Sequence, residues 1–201
     1  MDIDETEYEE LRQLDQLRSD NRVLNAWLTV QHAEFPGWAE QAPGTWDFSL
    51  DSLARLEDLI RDRYATTEHA YLEEGGDFLQ TASWYVGEVH NRHFGTVWQF
   101  HPDSAETSGA WPFVTVPFDR LFEFPDEDGI EPDSRPLYTP VKRLCGILTP
   151  DNGHLSTDPE IYDPTTQTPR QLRLDPDHPD AQGLQSGGEG AGGGRARRDL
   201  P

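Results

Sequence analysis

Phe78-Leu79-Gln80-Thr81-Ala82-Ser83-Trp84-Tyr85-Val86-Gly87-Glu88-Val89-His90-Asn91-Arg92-His93-Phe94-Gly95-Thr96-Val97-Trp98 is the stretch that decides the fold. Phe78, Ala82, Tyr85, Val89 and Arg92 recur at helical spacing, flanked by Val86, His93 and Phe94. Asp77 is placed to cap this helix and Gly95 to stop it. From Thr96 the residues become β-formers, so a helix runs directly into a strand. Gly87 lies inside the helical pattern, where glycine costs about 1 kcal/mol against alanine. Its presence predicts close approach by another element. Because Gly95 turns the chain back on the helix, Tyr85, Val89 and Trp98 are expected to be buried together.

Two helices are expected before this stretch. Leu11, Leu14, Leu17, Leu24, Trp27 and Leu28 predict one over Glu7–Val30, ended by Phe35-Pro36-Gly37-Trp38, with Trp38 and Trp46 in a Pro/Gly loop. Leu50, Leu53, Leu56, Ile60 and Tyr64 form the stripe of a second, capped by Ser49 or Asp47. Glu68–Leu72 reads as a short turn or the start of a hairpin, broken at Gly75-Gly76.

After the decisive stretch, Thr96–Phe100 and Phe113–Val116 read as a hairpin with a long loop, the second arm marked as an edge strand by Pro112 and Pro117. Asp119–Phe124 is a helical turn or a strand, Pro125–Pro136 an acidic loop, and Tyr138–Leu148 a last helix. The fold class is therefore α+β: three N-terminal helices, a small antiparallel hairpin or sheet and a final short helix, in one domain over residues 1–149. Residues 150–201 are rich in Pro, Asp and Gly, carry Tyr162 as their one aromatic, and are expected to be a disordered tail. Arg195, Arg197 and Arg198 give that tail a basic end able to reach back to the acidic body.

Charge bounds the function. The 201 residues hold 38 acids and 16 bases, a formal charge of −22. Such an excess opposes nucleic acid and anionic membrane surfaces, whose protein ligands are basic. It suits a basic protein partner, or simply keeps the chain in solution. Residues 1–149 hold 29 acids and 11 bases, and the first twenty residues 8 and 2. Glu5, Glu7, Glu9 and Glu10 at a helix start are the first choice for a steering patch; capping and solvating that helix is their other use. The start of the chain has neither a basic region nor an apolar run, and no segment approaches a membrane span, so a reducing cytoplasm is the expected compartment. Lys142 is the single lysine among arginines, a bias that looks bacterial and GC-rich.

No complete catalytic constellation is present, and no cofactor is called for. Cys145 stands alone in an apolar setting, where it reads as a small buried hydrophobe rather than a nucleophile. His90 and His93, three apart on the helix, with His101 beyond it, could share a metal if they faced one cavity; no metal motif accompanies them. Glu88 and Arg92 stand at i, i+4, a spacing that reads first as a structural ion pair. Trp84, Trp98, Trp111 and Phe113 could line a groove for a partner's arginine, or could be core. Trp84, Trp111, Glu88 and Arg92 thus join the four N-terminal glutamates as candidate binding residues.

Tyr85-Val86-Gly87-Glu88-Val89, followed by Arg92, Gly95 and Trp98, resembles a signature of several uncharacterised bacterial domain families, with Phe94-Gly95 where a double glycine is familiar. In them a helix with Tyr-x-Gly-Glu and then Arg and Gly leads into a strand with Trp, then an edge hairpin and a Pro-led segment with a basic pair, here matched by Val141-Lys142-Arg143. The resemblance covers about 75 residues. It implies an α+β fold without catalytic residues and, for some such domains, a role as immunity or accessory proteins of bacterial conflict systems. Two functions are carried forward: a non-catalytic acidic protein-interaction domain, immunity or accessory in kind, and alternatively a metal-dependent hydrolase using the histidines.

Overall fold

A computed structural model describes residues 3–102, 110–124, 132–149 and 152–165. The chain is α+β. Among the described residues it has six α-helices, α1 (Glu5–Ser19), α2 (Arg22–Gln41), α3 (Asp51–Arg63), α4 (Thr67–Leu72), α5 (Asp77–Phe94) and α6 (Pro140–Gly146), and three short strands, β1 (Val97–Gln99), β2 (Phe113–Thr115) and β3 (Leu137–Tyr138). Short 3-10 turns span Phe118–Glu123 and Asp158–Tyr162.

α5 is the hub, touching α2, α6, β1, β2 and the Asp158–Tyr162 turn. From Leu79 through Gly87 its residues are all buried. Gly87 makes this possible: a Cβ there would lie 2.0 Å from Cζ2 of Trp98 and 2.2 Å from its Cη2. The Trp98 indole therefore lies directly on the helix backbone, with Trp27 edge-on to it at 5.1 Å. Gly95 ends α5 at φ 66°, the left-handed conformation that glycine adopts without strain, and returns the chain as β1. Tyr85, Val89 and Trp98 are buried together, as the turn at Gly95 predicts.

The sheet is antiparallel with order β1-β2-β3, and Trp98 faces Val114. β2 is thus the central strand, not an edge. Pro112 and Pro117 lie just outside its three residues, so neither removes a donor from the ladder.

The N-terminal helix expected over Glu7–Val30 is two helices. Asn21 breaks it, its side chain capping Val23 N at 2.8 Å and Leu24 N at 3.3 Å. The following helix then runs through Pro36 to Gln41, so Trp38 is helical rather than in a loop. Pro36 and Gly37 are exposed there, while Phe35 and Trp38 pack against Tyr85 with ring centroids at 5.5 and 6.3 Å. That burial outweighs the lost helix bond. Leu50 begins α3 without a side-chain cap; the Asp47 carboxylate instead accepts from Ser49 N and Oγ. Gly76, not Asp77, is the cap of α5.

The packed body does not stop at Pro150. Leu155 is fully buried and Tyr162 nearly so, and both join the main core. Glu57 of α3 accepts from Leu155 N at 3.1 Å and from His154 Nδ1 at 2.9 Å, which fastens the returning chain. These few apolar and polar contacts order residues 152–165 despite their polar composition. The expectation of a disordered tail otherwise falls on residues 166–201, which lie outside the described residues, as do the hairpin loop at 103–109 and most of the acidic loop, at 125–131. No described helix is long and apolar enough to cross a membrane.

Candidate functional site

The candidates on α5 go to different places. His90 is fully buried, with Nδ1 hydrogen-bonded to Tyr162 Oη at 2.8 Å and Tyr138 packed on its ring at 4.5 Å. Its Nε2 is buried without a partner. Burial, with a small contribution from His93, pushes its pKa down to about 3, so it is neutral. His93 is exposed and its Nε2–H donates to the Phe48 carbonyl at 2.8 Å. His101 packs beside the Phe113 ring at 4.8 Å. The three histidines do not converge, and among the described residues no three His, Cys, Asp or Glu side chains stand where they could hold a metal ion.

Glu88 is half-buried and works structurally. Its Oε1 accepts from Trp98 Nε1 at 3.0 Å, so the residue after Gly87 fixes the indole that Gly87 admits. Arg92 lies 3.7 Å from its other oxygen and stacks over the Phe48 ring, 3.3 Å from the centroid. Phe48 has φ 59°, unusual for a residue with a side chain, and α5 holds it at three points: Tyr85 Oη on its N–H, His93 on its carbonyl, Arg92 on its ring. The Glu88–Arg92 pair therefore belongs to the clamp that seats the Ala42–Leu50 segment on α5.

Trp84 is buried among His32, Phe35 and Phe48. With Leu28, Thr29, His32, Glu88 and Trp98 it borders a shallow depression of about 410 Å³. Trp111 is not part of it; its ring lies against Gly75, and Phe113 is buried in the sheet. The tryptophans chosen for a binding groove are thus mostly core and do not form one surface. Cys145 is fully buried, and desolvation pushes its thiol up to about 12, so it is inert.

The N-terminal acids sit otherwise. α1 has no buried residue. Asp4 caps it by accepting from Thr6 N and Glu7 N, and Glu5, Glu7 and Glu10 are exposed. Glu9 is engaged by Arg12 at 2.7 Å and by Gln13, which hold its carboxyl down to about 2. The helix half-buries Tyr8, Leu11 and Leu14, and polar groups of its C-terminal half tie it to the body. Asp15 accepts from buried Arg135 at 2.8 Å and from Gln99 at 2.7 Å, and the Arg18 carbonyl accepts from Phe100 N at 3.0 Å. Burial alone would lower the Arg135 pKa, but the carboxylates of Asp133 and Asp15 outweigh it and hold it above its ordinary value.

No protein-family profile matches the chain, and no significant match was found among curated proteins or solved structures. The functional reading therefore rests on residues and their geometry.

Two features escape a reading of the sequence. Tyr8 of α1 stacks on Phe122 at 5.9 Å and 6°, and meets Phe118 at 5.3 Å, building an aromatic ladder on the surface beside the acids. The only local signal is the presence of Phe118 and Phe122 among charged residues; their contact with Tyr8 is long-range. A second polar cluster joins Tyr138, Arg143 and Asp158, with both Tyr138 Oη and Arg143 Nε at 2.7 Å from the same carboxylate oxygen. Burial holds Asp158 above the usual carboxylate range against both donors. It is enclosed and serves to fasten the Asp158–Tyr162 turn.

Proposed function

We propose that this chain is a non-catalytic, acidic interaction domain of the bacterial cytoplasm that binds a basic protein partner, with α1 as its leading surface. The observation that carries this reading is a helix that buries none of its residues and presents Glu5, Glu7 and Glu10 to solvent. A surface helix normally buries an apolar stripe; this one only half-buries Tyr8, Leu11 and Leu14 and is tied by Asp15 to Arg135 and Gln99, leaving Glu5, Glu7 and Glu10 outward. The formal charge of −22 extends the attraction over the whole molecule. Among the described residues the thiol of Cys145 is buried and the histidines do not come together. An immunity or accessory role is favoured by the resemblance of the Tyr85–Trp98 motif alone.

The test begins with capture from the source cell at low salt, followed by association kinetics with the purified partner. The partner is expected to be basic, and the association rate to fall steeply as salt rises, because exposed charges are screened beyond about 8 Å at physiological ionic strength. Replacing Glu5, Glu7, Glu9 and Glu10 by Gln should slow association and leave the circular dichroism unchanged. Recovery of acidic partners alone, or a rate indifferent to salt, overturns the reading.

A further inference from the structure

We infer that the face shared by α1 and the Phe118–Glu123 turn is a docking surface for a cationic, amphipathic segment of a partner protein. The inference rests on the acidic reading above and adds a place and a chemistry to it. Phe122 is 64% exposed, though it has a stacking partner in Tyr8. Phe118 continues the ladder inward and forms one wall of a shallow depression of about 360 Å³, lined otherwise by Arg12, Asp15, Gln16, Ser19 and Asp20. An aromatic ridge thus runs into a polar hollow with two carboxylates; Arg135 already pairs with Asp15 at 2.8 Å, which leaves Asp20 to meet a cation. Arg12 does not oppose a cation there, since Glu9 neutralises it at 2.7 Å.

Aromatic side chains ringed by charge are the composition of interface centres. The hollow is too open to retain a small molecule, and Phe122 calls for an apolar side chain laid across it. With eight acids and two arginines in residues 1–20, the polar side of whatever docks must be basic. A second copy of this chain would bring the same acids against themselves, and an anionic lipid surface would be repelled. A segment with Leu or Phe on one side and Arg or Lys on the other satisfies both halves.

The probe is a fluorescent amphipathic helix of Leu and Arg, titrated by anisotropy into the full chain, beside a scrambled peptide of the same composition. The amphipathic peptide should bind more tightly than the scrambled one, and added salt should weaken it. Phe122→Ser should weaken it at least about tenfold, with unchanged circular dichroism; Asp20→Asn should weaken it by less. Equal binding of the two peptides, or binding indifferent to Phe122→Ser, overturns the docking surface while leaving the acidic reading standing. No binding of either peptide at low salt overturns both. Sedimentation showing a dimer that Phe122→Ser abolishes would assign the face to a second copy. A tenfold tighter peptide on replacing Arg195, Arg197 and Arg198 by Ala would assign it to the chain's own basic end. Either result overturns the inference.

Discussion

Gly87→Ala should destabilise the protein, although alanine is the better helix former. The gain from propensity is about 1 kcal/mol. Against it stands a methyl group 2.0 Å from Cζ2 of a rigid indole, where no rotamer of alanine offers escape. The indole cannot slide, because Trp27 stands edge-on to it and Glu88 holds its nitrogen at 3.0 Å. Trp98 must leave its site, and loss of a buried Trp costs about 3–5 kcal/mol. The net expectation for Gly87→Ala is a loss of about 2–4 kcal/mol. In a Trp98→Ala background the clash is gone, so the same substitution should stabilise by about 1 kcal/mol. The sign reversal amounts to a coupling of about 3–5 kcal/mol, at or above the top of the range for residues in contact. Urea unfolding of the four proteins, followed by far-ultraviolet circular dichroism so that the lost indole does not change the probe, measures it. Equal effects of Gly87→Ala in the two backgrounds, or stabilisation of the wild type, would refute the reasoning.

His90 predicts a pH dependence. Its folded pKa, about 3, lies below the ordinary 6.5, so its neutral form contributes stability that is complete above pH 6.5 and drains away as pH falls toward 3. Between pH 6.5 and 5 the loss should approach 2 kcal/mol, and His90→Gln should flatten that part of the profile in urea titrations; an unchanged slope would show that His90 does not titrate as a buried neutral group. Arg135 predicts a local effect: Arg135→Ala strips Asp15 and Asp133 of their shared partner, leaving Asp133 with Arg18 at 3.4 Å, and should cost about 3–5 kcal/mol, with loss of amide protection in α1 before the rest. Protection of α1 equal to that of wild type, measured by hydrogen exchange, would show that the helix is held by something else.

The legible part of the fold was the part written in strong local signals. α5 combines a long apolar period, a glycine stop and an immediate change to β-formers, and Gly87 announced a close neighbour that proved to be Trp98. Other elements were hidden because competing signals cancelled. The leucine spacing runs unbroken through Asp20-Asn21, so the cap at Asn21 was masked by the stripe around it. Pro36-Gly37 looked like a terminus, yet both fall on the exposed side of a helix whose other side carries Phe35 and Trp38. β3 has two residues, too few for any period. Residues 152–165 are mostly polar, and their order comes from long-range contacts of Leu155, His154 and Tyr162 that composition does not encode. At the candidate sites the sequence names residues but not their directions: the helical period could not tell that His90 points into the core and His93 to Phe48, or that Trp84 is enclosed. The aromatic ladder joins residue 8 to residues 118 and 122, a distance along the chain that no window spans.

Several of the polar ties that close the molecule reach far along the chain. Glu57 meets His154 across 97 residues, Arg18 meets Asp133 across 115, and Gln99 meets Asp15 across 84. Helices α3 and α5 can form from neighbours in sequence, but these ties form only when α1 and the return at residues 152–165 have packed against the rest. Loop closure of that length is entropically costly and is repaid only once the partners meet. Folding of this chain should therefore be slow for a helix-rich protein of its size, with assembly of the helical centre early and capture of α1 and of the His154–Tyr162 return late. The same late contacts are the ones whose strengthening would slow unfolding rather than hasten folding. The kinetic lifetime of the folded state is thus governed from α1 and the His154–Tyr162 return, while its architecture is set around α5.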